Sequence, residues 1–363
     1  MCLYPKLIKN RKYLPNKKNG GNVPPLPLVE TEDGRRVNDY RVMAVPVGCG
    51  RCIECMKQKS RNWQARLLEE IRSPGEKAYM VTFTFNDEWL TKYRNKHFKL
   101  KGYDLDNAIA KTAVHEFLER WRKKHKKSIR HWLVTELGQK NTEHMHLHGI
   151  VWTDKDPKDI NDIWRNGFTF IGDYVNARTV NYIVKYIHKS DELHKEYKPV
   201  ILSSPGIGKG YLDRIDYKRN KFKGKETKED YINNKGYKMA MPIYWRNKIY
   251  TEEEREKLWI QKIEKNERWI CGEKVKTDSG MDNYYRLLEY HRERNKRLGY
   301  GDNTNNWDRV KYEEERRILK QEERLKTSRD NTKILAVSQN VGINGTGKNI
   351  RYEELKEQAA NYW

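Results

Sequence analysis

The stretch HWLVTELGQKNTEHMHLHGIVW, residues 131–152, decides the fold of the middle of the chain. Its two ends are short runs of apolar and β-branched residues, a composition that favours strands. The short linker Leu137–Met145 between them favours a hairpin. We therefore predict two antiparallel strands, at His131–Glu136 and at His146–Trp152.

Strand and helix patterns alternate on both sides of this hairpin. Upstream, Ala78–Phe85 alternates in the manner of a strand, and Lys111–Lys127 has the spacing of an amphipathic helix. Downstream, we predict a short helix at Asp159–Trp164, a strand at Phe168–Val175 and a helix at Ala177–Lys189. This order predicts an α+β fold, in which an antiparallel β-sheet is flanked by helices.

The two ends of the chain have weaker patterns. Residues 1–48 contain few apolar positions and are interpreted as an irregular arm, whereas Lys57–Arg72 has helical spacing. Beyond residue 200 the chain is rich in Lys. We predict charged helices at Glu252–Trp269 and Tyr312–Leu325, and a mobile segment at Thr327–Asn349, which has little to bury.

These patterns predict three regions in the chain of 363 residues. Residues 1–75 form a basic arm and a Cys-rich segment with a helix. Residues 76–200 form a central domain that carries the candidate catalytic residues. Residues 201–363 form a basic, mainly helical C-terminal extension.

The charge of the chain indicates a polyanionic partner. Lys and Arg number 74 against 51 Asp and Glu, which gives a formal net charge of +23. Such an excess neutralises phosphates, although a basic surface with no specific partner has the same composition. The 11 Trp and 23 Tyr offer flat faces on which unpaired bases stack, so a nucleic acid is the favoured partner.

Neither membrane insertion nor secretion is predicted. No run of apolar residues is long enough for a transmembrane helix, and Met1–Gly20 is basic without the apolar core of a secretory signal. Five Cys in a chain of this length do not suggest a disulfide scaffold. A reducing cytoplasm is the expected compartment.

Three alternating imidazoles, His144, His146 and His148, begin the second strand. Side chains two residues apart on a strand share a face, so all three would project together. Glu136 ends the preceding strand and would lie beside them. Imidazoles with one carboxylate leave coordination positions open for water and a phosphate oxygen, which suits Mg²⁺ or Mn²⁺. An exposed polar strand face with a solvated Glu136 is the alternative.

The helix Ala177–Lys189 has two chemically different sides. At 100° per residue, its apolar residues fall on one side and two Tyr-x-x-Lys pairs fall on the other, away from the core. A Tyr phenolate attacks phosphodiesters, and a nearby Lys lowers the pKa of the phenol or stabilises charge on the phosphate. An ordinary amphipathic helix is the alternative. The polar side consists of Tyr182, Lys185, Tyr186 and Lys189.

A second group of candidate ligands lies near the N-terminus. Cys49, Cys52 and Cys55 have spacings that suit tetrahedral zinc, with Cys2 as a fourth thiolate. Reduced cysteines on a turn, without a ligand, remain the alternative because the chain lacks a second Cys-x-x-Cys pair. Cys271 is interpreted as incidental.

The glycine-rich run Gly206–Gly210 does not predict a nucleotide site. It lacks the Gly-x4-Gly-Lys-Ser/Thr spacing of a phosphate loop, and no buried strand precedes it. We therefore expect no nucleotide cofactor.

Several of these motifs resemble those of one enzyme group. His146–His148 is similar to the His-hydrophobic-His motif of the HUH endonuclease superfamily. The Cys-rich segment, with Met1-Cys2, resembles the gokushovirus-like branch of the microvirus replication proteins. Three further segments share the resemblance to replication initiators: Thr82–Phe85, Tyr182–Tyr186 and Ser204–Gly208.

The resemblance implies a palm-like antiparallel sheet that carries the His pair, with the Tyr helix packed beside it. It assigns metal ligands to His146, His148 and Glu136, nucleophiles to Tyr182 and Tyr186, and a helper role to Lys185. The family commonly has Arg-Pro before the first His of the motif, and here His144 and Met145 stand there. This departure leaves open whether His144 is a third ligand, or pairs with His146 in place of His148.

The resemblance also implies a function. The protein is expected to start rolling-circle replication of a circular single-stranded DNA phage genome in the cytoplasm of a bacterial host, by nicking the origin and forming a covalent 5′ adduct. A host helicase and polymerase are the expected partners. A relaxase or transposase of the same superfamily is one alternative, and a non-enzymatic, zinc-dependent nucleic-acid-binding protein is another.

Overall fold

The computed structural model describes residues 2–31, 33–73, 75–138, 143–189, 193–194, 197–233 and 236–301. All of them fall within one compact unit. The predicted helix Tyr312–Leu325 and the predicted mobile segment Thr327–Asn349 lie outside the described residues.

Helices and strands alternate along the described part of the chain. The helices are α1 (Ile53–Arg72), α2 (Asp87–Lys96), α3 (Gly102–His125), α4 (Lys158–Trp164), α5 (Ala177–Val184), α6 (Ile243–Ile249), α7 (Glu252–Glu264) and α8 (Asp282–Arg297). The strands are β1 (Lys6–Lys9), β2 (Leu28–Glu30), β3 (Arg36–Asn38), β4 (Ala44–Val47), β5 (Ala78–Phe83), β6 (Arg130–Leu137), β7 (Met145–Trp152), β8 (Thr169–Gly172), β9 (Ile201–Ser203), β10 (Asp230–Ile232), β11 (Lys238–Ala240), β12 (Glu267–Ile270) and β13 (Glu273–Lys276).

A five-stranded sheet with the strand order β8-β5-β7-β6-β9 forms the centre, and every neighbouring pair is antiparallel. The predicted hairpin is confirmed as β6 and β7, and its register places Glu136 opposite His146 and Val134 opposite His148. The mixed α+β architecture with an antiparallel sheet is therefore confirmed. The sheet continues past residue 200, because β9 pairs with β6.

Helices cover both faces of this sheet. The first face carries Val81, Leu147 and other side chains that pack with α3 and α4 in one apolar cluster. The second face carries Trp132 and Ile150, which pack with α1 and α5 in another cluster. Because side chains alternate along a strand, Glu136, His146 and His148 lie on the second face together with α5.

The close approach of β6 and β7 depends on Gly149. A Cβ at this position would lie 2.0 Å from the backbone oxygen of Trp132. Any side chain would therefore force the two strands apart next to His148, and would separate the groups that the register brings together.

The N-terminal arm differs from the prediction. Within residues 1–48, β1 pairs with β4 and β2 pairs with β3, both antiparallel. The irregular-arm prediction is wrong for these segments because each strand is only three or four residues long and mostly exposed. So short a strand shows no usable alternation between buried and exposed residues.

The predicted helix Glu252–Trp269 is also shorter than expected. Thr251 and Glu254 form a capping box at the start of α7, which confirms the beginning of the helix. The helix ends at Glu264, and residues from Glu267 onward pair as β12 with β13 around the turn at Cys271. The charged residues of β12 resemble those of a surface helix, so composition did not separate the two elements.

Among the described residues, none of the helices combines the length and the apolar character that a membrane span requires.

Candidate functional site

Three predicted ligands meet on the second face of the sheet. Ligand atoms of Glu136, His146 and His148 all lie within 4.8 Å of one another. His148 Nε2 lies 2.9 Å from Glu136 Oε2. Two imidazole nitrogens and a carboxylate fit a divalent cation, and three protein ligands leave coordination positions open.

Thr82 on β5 holds one of these imidazoles from behind. Its Oγ1 lies 3.1 Å from His148 Nδ1, and the two residues are paired in the sheet. Since Nδ1 faces Thr82, Nε2 faces Glu136, where a metal ion would be held. Such an outer contact fixes the orientation of a ligating imidazole. The sequence analysis quoted Thr82 within a motif, and the β5–β7 register supplies its contact.

The electrostatics of the group favour the forms that bind metal. Burial, together with the nearby His148, lowers the pKa of His146 to about 4. Burial alone would raise the pKa of Glu136, but the hydrogen bonds and charges of His148 and Lys189 outweigh it and hold this pKa below its usual range. At neutral pH the group therefore contains a neutral His146 and an ionised Glu136, as metal coordination requires.

The structure does not bring His144 into this group. His144 Nε2 lies 3.1 Å from Asp87 Oδ1, at the start of α2. The strand β7 begins only at Met145, and Glu143 has a positive φ of 52°. The alternation that places His146 and His148 together therefore does not extend back to His144.

The two tyrosines lie against the sheet. The ring of Tyr186 stacks on that of His148, with centroids 4.3 Å apart and an interplanar angle of 8°. The Tyr186 hydroxyl donates to the Tyr182 hydroxyl at 2.6 Å. Tyr186 is buried in the second-face cluster and Tyr182 is partly buried beside it. The expectation that both phenols lie away from the core is wrong.

A change of helix type explains this difference. The α-helix ends at Val184, and Lys185–Ile187 form a 3₁₀ turn, which we call the tyrosine turn. A 3₁₀ helix advances about 120° per residue rather than 100°, so over two residues Tyr186 rotates by about 40° towards the sheet. The projection used for the sequence assumed a continuous α-helix.

Ser60 on α1 lies at the point where the helix type changes. Its Oγ donates to the backbone oxygen of Val184 at 3.0 Å, and both groups are buried. The amide of His188 bonds to Lys185 at 3.1 Å, not to Val184 as in an α-helix. The hydroxyl of Tyr300 donates to the backbone oxygen of His188. Sequence analysis missed Ser60, because nothing in the local sequence of α1 signals a contact so distant along the chain.

Two lysines of the same segment complete the site. Lys185 Nζ lies 3.9 Å from the centroid of the Tyr182 ring. Burial and the charge of Lys189 lower the pKa of Lys185. Lys189 Nζ lies 2.7 Å from Glu136 Oε1, so it joins the tyrosine segment to the ligand group. Lys189 was recognised on the helix face, but not as a partner of Glu136.

The four predicted sulfur ligands also come together. The Sγ atoms of Cys2, Cys49, Cys52 and Cys55 lie within 4.8 Å of one another. Cys2 lies 3.9 Å from Cys52, and Cys49 lies 4.0 Å from Cys55. Four sulfurs at these distances fit tetrahedral zinc, whereas Cys271 packs beside the group without joining it.

Hydrogen bonds already favour a thiolate in this sulfur group. The amides of Tyr4 and Cys49 donate to Cys2 Sγ at 3.3 and 3.2 Å. Hydrogen bonds from Cys52 and Cys55 hold the pKa of Cys2 well below its usual range, and the contact with Cys2 raises the pKa of Cys52 to about 12. A bound cation would deprotonate the remaining thiols.

The glycine-rich run Gly206–Gly210 packs on α1. The amide of Gly208 donates to Glu70 Oε2 at 2.6 Å, and its carbonyl accepts from Trp245 Nε1 at 2.8 Å. Arg66 Nε donates to the carbonyl of Ile207 at 3.0 Å. These backbone groups therefore connect α1 to the segment before α6.

Comparison with known proteins defines the class. Residues 78–191, from the first residue of β5 to just beyond the tyrosine turn, match a family model of rolling-circle replication initiators. The family is described as replication-associated protein ORF2, and residues 78–191 belong to it. Neither the curated proteins nor the solved structures gave a match to the chain. The family identifies DNA as the partner, and its matched segment contains both tyrosines and the Glu-His-His group.

Proposed function

We propose that this protein is an HUH endonuclease that starts rolling-circle replication of a circular single-stranded DNA phage genome, in the manner of the microvirus replication proteins. One observation carries the proposal: Tyr186 stacks on His148, a member of a three-ligand group, while its hydroxyl bonds to Tyr182. Two phenols beside an open cation site have the composition of a phosphodiester transesterification centre.

Glu136, His146 and His148 would hold a Mg²⁺ or Mn²⁺ ion, which polarises the scissile phosphate when it is bound. A phenolate oxygen attacks the phosphorus, a tyrosine–phosphate bond forms, and the bond from phosphorus to the 3′ oxygen breaks. The DNA 3′ oxygen leaves and takes up a proton. Lys185 lies over the Tyr182 ring, where its charge favours the phenolate.

The second phenol provides for strand joining. After a round of synthesis it attacks the regenerated origin, and the released 3′ hydroxyl then attacks the first phosphotyrosine and closes a circle. The number of phosphodiester bonds is conserved, so joining needs no nucleotide cofactor. The host supplies the helicase and polymerase in this scheme, and the site of action is the bacterial cytoplasm.

The sulfur group has a separate role in the proposal. Cys2, Cys49, Cys52 and Cys55 bind a structural Zn²⁺ at the N-terminal end of α1, at a distance from the chemistry. The region before residue 76 thus supports the domain of residues 76–200, and residues 201–363 extend the basic surface.

Covalent trapping tests the proposed function. Single-stranded origin DNA labelled at the 3′ end should remain bound to the protein through boiling in detergent, and the adduct should map to the peptide around residues 182–186. Because Phe retains the ring packing, Tyr182→Phe or Tyr186→Phe alone should leave nicking partly intact, and the double variant should form no adduct. Either single variant should close circles less well than it nicks.

Tyr174→Phe is the matched control, since Tyr174 is 80% exposed and precedes the same helix. It should form adduct at the wild-type rate. An adduct in the Tyr182→Phe, Tyr186→Phe double variant would refute the tyrosine assignment. Tight DNA binding with no adduct from the wild type would instead support a non-enzymatic binding protein.

A further inference from the structure

Two exposed aromatic side chains lie on the edge strand of the central sheet. Phe168 is 61% exposed and Phe170 is 36% exposed, although Thr169 between them is buried. We call these two rings the aromatic strip. Phe170 pairs with Thr82 in the sheet, and the Thr84 amide donates to the backbone oxygen of Phe168. By strand alternation both rings point to the second face, which also carries the Glu-His-His group.

The aromatic strip lies close to the candidate cation site. One row across the second face runs from Phe170 to Thr82 and then to His148, whose Nδ1 contacts Thr82. Neighbouring strands are about 4.8 Å apart, so Phe170 lies about 10 Å from His148 across the sheet. A strand of DNA whose phosphate occupies the cation site would therefore place its neighbouring bases within reach of the strip.

Packing around the strip holds it in place. A Cβ at Gly167 would lie 2.6 Å from the backbone oxygen of Thr84, so glycine allows this segment to lie close against β5. The same oxygen accepts a hydrogen bond from Trp164 Nε1 at 2.9 Å, and Trp164 stacks on Phe83 in the core. The exposed rings therefore project from a fixed strand end, not from a loose loop.

The chemistry of the strip indicates its occupant. Exposed rings beside a phosphate-directed site, in a chain with a net charge of +23, suit a polyanion with flat faces. We propose that Phe168 and Phe170 stack the bases of single-stranded DNA that flank the scissile phosphate. This inference rests on the proposed function, to which it adds the path of the substrate over the edge of the sheet. Stacking accepts every base, so the strip contributes affinity rather than sequence preference.

Binding without cleavage tests this inference. A mixed-sequence, fluorescent single-stranded oligonucleotide is titrated with full-length protein in EDTA, so that anisotropy reports binding alone. Replacing one ring by Ala should weaken binding by about tenfold, and Phe168→Ala with Phe170→Ala should weaken it further. Phe168→Trp and Phe170→Trp should bind at least as tightly as the wild type, with indole fluorescence quenched by DNA.

Phe98→Ala is the matched control. Phe98 is 74% exposed and follows α2, whose residues pack in the first-face cluster. It should bind DNA as the wild type does. Unchanged affinity in the double Ala variant, with an unchanged melting temperature, would overturn the inference. So would a change in molar mass by light scattering without a change in DNA affinity, since the strip would then join two copies of the chain.

The two proposals fail in different ways. If the wild type forms the covalent adduct and the double Ala variant binds DNA normally, the strip has no role and the proposed function stands. If the wild type forms no adduct but loses DNA affinity with the rings, the strip binds DNA in a protein that does not nick it.

Discussion

The sulfur group and the Glu-His-His group are equally tight, since the ligand atoms of each lie within 4.8 Å of one another. Their surroundings differ. Leu3, Ile270 and Leu288 pack around the sulfurs, whereas two phenols and two ammonium groups surround the imidazoles. Four sulfurs close a coordination sphere and three mixed ligands leave it open. Ligand number and neighbours thus indicate a structural role for one group and a chemical role for the other.

The two groups also differ in how the chain builds them. Glu136, His146 and His148 come from one hairpin, so strand register alone brings them together. Cys2 reaches the other sulfurs only after the N-terminal arm has folded back on the start of α1. Local geometry therefore forms the open group, and tertiary structure forms the closed one.

The largest expected effect concerns the open group. His148→Ala should lower the nicking rate by about 10³-fold or more, because it removes both a ligand and the stacking partner of Tyr186. DNA affinity should change little, since it depends on Lys and Arg. Gel assays of cleavage and anisotropy measurements of binding separate the two quantities. His115→Ala is the control, since this side chain is 67% exposed on α3. Full nicking by His148→Ala, or in excess EDTA, would contradict the open-site assignment.

The closed group should respond in stability. Cys52→Ser should remove the bound zinc and lower the unfolding free energy by about 3 kcal/mol, because Cys52 is also the N-cap of α1. Elemental analysis and thermal unfolding measure the two effects, and the wild type should contain about one zinc per chain. Cys271→Ser should keep the ion. A folded, active wild-type protein without zinc would refute the closed site.

The smallest expected effect lies between the two groups. Ser60→Ala removes the hydrogen bond to Val184 and should allow the tyrosine turn to relax, with nicking reduced about fivefold. Ser60→Thr should restore it, and zinc content should not change. Ser73→Ala is the control on the same helix, because Ser73 Oγ makes an equivalent bond to Glu69 at 3.0 Å, away from the tyrosines. Equal losses in Ser60→Ala and Ser73→Ala would mean that the effect is general helix stability.

Much of the fold could be predicted from local patterns. The β6–β7 hairpin and the strand start at Ala78 follow from alternation and turn length, and the helix start at Thr251 has a capping signal. The same alternation placed Glu136, His146 and His148 on one face. These features depend on residues close in sequence, whose geometry the backbone dictates.

Contacts between distant segments could not be predicted in this way. Ser60 and Val184 are far apart in sequence, and their bond decides where Tyr186 points. The edge strand β9 is three residues long and is recognisable only from its partner β6. His144 shows the opposite error, because the alternation was extended one step beyond the true start of the strand.

One continuous helix, α1, joins the two groups, since Cys52 caps it and Ser60 contacts the tyrosine turn. The eight residues between them span about 12 Å along the helix axis. That length makes α1 a molecular ruler. Cobalt placed in the sulfur group is a paramagnetic reporter at a known separation from the tyrosine turn, so nuclear spins in that turn would register movement of the DNA-attacking groups while the nicking centre itself stays unlabelled.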